Sequence, residues 1–176
     1  MEPPVRNVRP AFTLIELLAV VTVTGILAVV ALPAVSQLAA TQRRAAANVL
    51  QRDLTYARER ASGTGVTTWV VFSGSLQSYA VLSENAASPG RAGATTLIDP
   101  ATQTGFVKKF GQGEYANISL GSISFDSDNE VGFDRLGRPL RTSGALRTTD
   151  GTVILSNAWR VRVAARTGLV TVEVAP

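Results

Sequence analysis

The chain is 176 residues long, with 17 Lys and Arg against 13 Asp and Glu, a formal charge of +4, and no His or Cys. Without Cys there is neither a disulfide nor a thiolate metal site, and without His the commonest general base and neutral metal ligand are missing, which counts against most hydrolases and metalloenzymes. The positive charge is spread along the chain instead of forming a block, so it points only weakly to acidic partners.

Residues 1–11, MEPPVRNVRPA, carry Arg6 and Arg9, and their three prolines discourage a helix. The text then turns apolar. From Leu14 to Val35 the only charge is Glu16, and the run is long enough to cross a hydrocarbon core of about 30 Å as a helix. The two arginines ahead of it keep the N-terminus cytoplasmic and send the rest of the chain outward. A cleaved secretory signal fits poorly, because its apolar region is only about 7–15 residues long. A plain membrane anchor explains the length but leaves Glu16 without a role, although an ionised carboxylate in hydrocarbon is costly unless it is paired.

Residues 11–16, AFTLIE, with Pro33 inside the apolar run, resemble the cleavage and methylation signature of type IV pilins and type II secretion pseudopilins. That resemblance implies a membrane peptidase that cuts between Ala11 and Phe12 and methylates the new N-terminus at Phe12. It also implies that the apolar run stays on the mature chain, and that Glu16 pairs with the terminal amine of a neighbouring subunit. Pairing makes a buried charge tolerable, and pairing in trans can set the register between subunits. Pro33 is then the place where the helix bends or melts during assembly, and Gly25 weakens the same stretch. The chain departs from the signature in having Ala11 where the residue before the cut is usually Gly.

Residues 37–62 are rich in Ala, Leu, Arg and Gln, which are good helix formers. Leu38, Ala46, Val49, Leu50, Leu54, Ala57 and Ala61 recur at three- and four-residue steps and predict an amphipathic helix. The SGTG at 62–65 stops it, so one helix is expected over 12–62. Beyond it the residues are β-branched and aromatic. Strands are expected within 66–74 and 76–84, joined by a turn at Gly74–Ser75, then within 105–111, 116–125, 131–140, 151–157, 158–166 and 169–175. Residues 85–104 read as an exposed loop. The expected fold is α+β: a long N-terminal helix, half membrane-embedded and half amphipathic, packed on antiparallel sheet. Its divisions are a cleaved basic leader at 1–11, a transmembrane and filament-core helix at 12–35, an amphipathic helix at 36–62 and a periplasmic β domain at 63–176.

FDRLGRP at 133–139, followed by GTVILS, WRVRV and TGLVTV, resembles the C-terminal pattern of the GspH/FimT group of minor pseudopilins and minor pilins. The group implies a non-enzymatic filament subunit without cofactor. Its partners would be other pilin or pseudopilin subunits, the prepilin peptidase and an inner-membrane assembly platform. The leading expectation is an H-type minor pseudopilin of type II secretion. The alternatives are a FimT-like minor pilin with a role in pilus assembly or DNA uptake, and a membrane-tethered periplasmic domain that never polymerises.

Some FimT-like proteins bind DNA through a C-terminal Gly-Arg-x-Arg turn, and Leu169 and Thr171 stand here where arginines would be wanted. Arg160, Arg162 and Arg166 could still present a basic face to phosphates, although a solvated strand face accounts for them as well. Asp126, Asp128 and Glu130 place oxygen ligands at alternate positions, as Ca²⁺ sites do, but without the spacing of an EF-hand, and an Asx-rich turn looks the same. No pair of nucleophile and base stands out.

Overall fold

The computed structural model describes residues 12–75 and 77–176, and for residues 30–36 the backbone only. The leader 1–11, and with it Ala11, lies outside the described residues. The chain divides into two units, Met1–Ala39 and Ala40–Pro176.

Helix α1 runs over Leu14–Thr64. In the first unit its start is capped by Thr13, whose hydroxyl accepts the Glu16 N–H at 3.3 Å. Thr13 followed three residues later by Glu16 is the sequence pattern of a capping box. The backbone is helical on both sides of Pro33. Thr22 would leave a hydroxyl stranded among apolar neighbours, but it donates to the carbonyls of Leu18 and Ala19, and Thr24 donates to that of Val20.

In the second unit α1 ends where Gly65 turns left-handed (φ 72°) and donates to the Ala61 carbonyl. Ala46, Ala47, Leu50, Leu54, Ala57 and Ala61 are buried. Val49, expected on that stripe, is only half-buried, and the buried position between Leu50 and Leu54 is taken by Asp53. Leu38 belongs to the first unit and is exposed.

Ten strands follow: β1 Thr68–Ser73, β2 Ser78–Ser83, β3 Thr95–Thr96, β4 Val107–Lys109, β5 Leu120–Ser124, β6 Glu130–Phe133, β7 Pro139–Leu140, β8 Gly151–Leu155, β9 Trp159–Val163 and β10 Val170–Val174. Among the described residues they form two antiparallel sheets. One has the order β3-β2-β1-β6-β7, with β4 also pairing with β2, and the other has the order β10-β9-β8-β5. Alternation decides which face is buried. Val161 and Val163 go inward while Arg162 stays exposed. One core joins Leu50 and Leu54 of α1 to Val70, Phe72, Val131 and Phe133 of the first sheet, and to Val153, Leu155 and Val161 of the second. Each large aliphatic side chain fully buried there contributes about 1.5–3 kcal/mol.

The segment 131–140 is not one strand. Asp134 interrupts it: one carboxylate oxygen accepts the N–H groups of Leu136 and Arg138 at 2.9 and 2.8 Å, and Gly137 sits at φ 73°. The chain therefore reverses between β6 and β7. β5 and β6 are linked by a tight turn at Asp126–Ser127, both with positive φ, yet they enter different sheets.

Candidate functional site

The head of α1 is the first site. Every described residue from Phe12 to Val29 is exposed, with Phe12 76% and Leu14 87% exposed. The apolar residues point to all sides of the helix, and among the described residues of this unit none covers them. Glu16 lies in the first turn, where a carboxylate complements the positive end of the helix dipole. On one helix face it shares a groove with Ala19, Val20, Val23, Thr24 and Leu27. Among the described residues no helix is long and apolar enough to cross a membrane. The apolar run of the sequence continues through residues 30–35, whose side chains, Pro33 included, lie outside the described set.

The acidic cluster engages arginines. Asp126 pairs with Arg141 at 3.0 Å and with Arg147 at 3.3 Å, Asp128 pairs with Arg147 at 3.2 Å, and Glu130 with Arg91 at 2.6 Å. Among the described residues no group of acidic side chains is gathered for a metal. Arg147 is the centre of this arrangement. Its side chain is 1% exposed. It donates to the carbonyls of Leu140 (3.1 Å) and Glu130 (2.7 Å) and lies over the Phe125 ring at 5.2 Å. One guanidinium thus ties β6, the end of β7 and the turn that carries the chain from one sheet to the other. Burial pulls its pKa down, and the two aspartates oppose that shift. The sequence reading missed Arg147, because in GALRTTD nothing marks it as buried.

The three arginines singled out near the C-terminus are separated by their surroundings. Arg162 pairs with Asp150 (2.8 Å from Nε) and lies 3.9 Å from Glu173. Arg160 stands opposite Glu173 across the β9–β10 ladder. Arg166, in the turn between those strands, is exposed and makes no hydrogen bond or ion pair among the described residues. It lines a cleft with Arg138, Leu146, Arg147, Thr148 and Ala165.

The FDRLGRP turn and the β9–β10 turn meet on α1. Gly137 O accepts from Arg58 Nε at 3.3 Å. A Cβ on Gly168 (φ 66°) would fall 2.2 Å from Gly137 O, which only glycine avoids. A buried acid, Asp53, lies under the first sheet and accepts the Tyr79 hydroxyl at 2.7 Å. Burial raises its pKa above the ordinary carboxylate value despite that bond and Arg52. The spacing Leu50, Asp53, Leu54, Ala57 places Asp53 on the core stripe, so this residue was findable in the sequence.

A family model described as a prokaryotic N-terminal methylation motif matches residues 6–32. No curated relative matches the sequence. Among solved structures, that of the minor pseudopilin EpsH from the type 2 secretion system of Vibrio cholerae superposes with a TM-score of 0.53 at 14% identity, covering 77% of this chain and 96% of that one. A crystal structure of the same pseudopilin gives 0.53 at 12% identity, with 77% and 97% coverage. The chain carries the type IV pilin-type methylation signal at the head of a helix packed on antiparallel sheets, and the fold is that of a pseudopilin.

Proposed function

We propose that the chain is a non-enzymatic filament subunit, an H-type minor pseudopilin of a type II secretion system. The observation that carries this reading is the methylation motif on a helix whose surface from Phe12 to Val29 is exposed and, apart from Glu16 and three threonines, apolar, with no described side chain covering it. Such a surface is stable only in lipid or against other apolar helices. A pseudopilin uses both in turn, first as a single-pass inner-membrane anchor with the β domain in the periplasm and then in the core of a filament. Its partners in this reading are other pseudopilins, the prepilin peptidase that cuts at Ala11–Phe12 and methylates Phe12, and the inner-membrane assembly platform. The fold likeness to EpsH favours secretion over pilus membership. The pairing of Arg162 with Asp150 and Glu173 removes part of the charge that a DNA face would need.

Glu16→Val tests the reading. Membrane insertion should be kept or improved, because a charge leaves hydrocarbon. Co-purification with sheared filaments, at matched membrane levels, should fall, because a neighbour's amine loses its counter-charge at a cost of about 3 kcal/mol or more. Equal incorporation would sink the register role of Glu16. Intact mass should give an N-methylated Phe12 terminus in cells with an active prepilin peptidase, and retention of Met1 there would sink the processing.

A further inference from the structure

Loop 141–150 and the β9–β10 turn enclose a cleft of about 360 Å³, lined by Arg138, Leu146, Arg147, Thr148, Ala165 and Arg166. Among the described residues no acidic side chain is in the lining. The acids that touch these residues are already engaged: Asp134 by Arg138 at 2.7 Å, Asp150 by Arg162 and the Ala165 N–H, and Asp126 and Asp128 by Arg147. Arg147 contributes wall and field, since its nitrogens are occupied. The donors left over are the guanidinium of Arg166, the second terminal nitrogen of Arg138 and the Thr148 hydroxyl. Arg138 is held in place by three contacts within its own turn, so its fork is oriented before any ligand arrives, which lowers the entropic cost of binding.

A lining of donors with apolar walls suits a group that only accepts hydrogen bonds and carries a short aliphatic stem. We propose that this cleft receives an acidic side chain, Asp or Glu, from a neighbouring filament subunit. The carboxylate forms its ion pair with Arg166 and accepts a further hydrogen bond from the free terminal nitrogen of Arg138, whose charge is already shared with Asp134, and its methylenes rest on Leu146 and Ala165. The inference rests on the filament-subunit reading for the source of the acid. A nucleic acid strand is the less fitting occupant. It needs a track of cations along the backbone, and the adjoining Arg162 is neutralised within its own sheet.

The test uses the full-length chain in detergent micelles and fluorescence anisotropy with a capped, labelled oligoglutamate. A labelled single-stranded oligonucleotide of matched charge is the second probe. The oligoglutamate should bind at low salt. Arg166→Glu should weaken that binding about tenfold, the scale of one charge-assisted bidentate pair, while Arg166→Lys keeps most of it and Lys109→Glu, an exposed charge reversal on β4 of the first sheet, leaves it unchanged. Arg166 is exposed in a turn, so these variants should fold, and circular dichroism verifies this. No binding by the wild type, an equal loss in Lys109→Glu, or binding of the oligonucleotide alone would each overturn the proposal. None of these outcomes depends on incorporation into filaments, so failure here and failure of the Glu16 experiment are separate results.

Discussion

Two regions of this molecule reverse the usual partition of side chains, in opposite senses. Over Phe12–Val29 the apolar groups are outside. In Ala40–Pro176 charged groups are inside, with Arg147 and Asp53 each only 3% exposed. An exposed apolar surface needs a partner from outside the chain. A buried charge needs partners within it, and both groups have them: Arg147 has carboxylates and carbonyls, and Asp53 has a tyrosine hydroxyl. The first region is therefore incomplete by itself, whereas the second is closed on itself.

Breaking an internal pairing should give the largest effect. Arg147→Ala leaves Asp128 and two carbonyls without their guanidinium and Asp126 with Arg141 alone, and should destabilise the β unit by about 3–5 kcal/mol in chemical denaturation. A loss under 1 kcal/mol, on the order of a surface pair, would mean that the cluster is not the closure described above. Next comes a matched pair of truncations along one helix. Leu54→Ala, fully buried, should cost about 2–5 kcal/mol. Leu18→Ala, exposed, should leave the denaturation midpoint of the β unit unchanged. Equal effects would erase the distinction between the regions.

The smallest expected effect is a change of slope with pH. The folded-state pKa of Asp53 is raised, first by burial. Its contribution to stability is therefore present below its unfolded value and lost as pH rises through its folded value. Asp150 works the other way. The Ala165 N–H and then Arg162 lower its pKa, so its contribution is present above the unfolded value and lost as pH falls through the folded one. Asp53→Asn should accordingly make stability rise more steeply with pH just above the ordinary carboxylate range. An unchanged profile would show that Asp53 ionises in the fold as it does in water.

Local signals made most of the fold legible. Helix propensity and the glycine at 65 give α1 within two residues at each end, and alternation gives Val161 and Val163 as inward-facing. The sequence could not show that β5 and β6, joined by a tight turn, belong to different sheets. Arg147, which binds the turn between them, comes well after both strands. Pairing across the fold was equally hidden: Arg162 looks basic in WRVRV and is neutralised by Asp150 from the loop before β8. At the candidate site the methylation signature was fully legible, because it is a contiguous string. The donor-lined cleft was not, because its residues come from separate turns brought together by the sheets.

The contact of Arg58 with Gly137 and Gly168 has a mechanical consequence. Gly137 belongs to the turn of one sheet, Gly168 to the turn of the other, and Arg58 to the helix. Tension along the helix therefore reaches both sheets at this contact as well as through the shared core, so neither sheet carries the shear alone. A side chain at Gly168 would wedge the turns apart and leave the coupling to the shared core alone. In a single-molecule pulling experiment from the N-terminus, such a variant should yield at a lower force than the native chain.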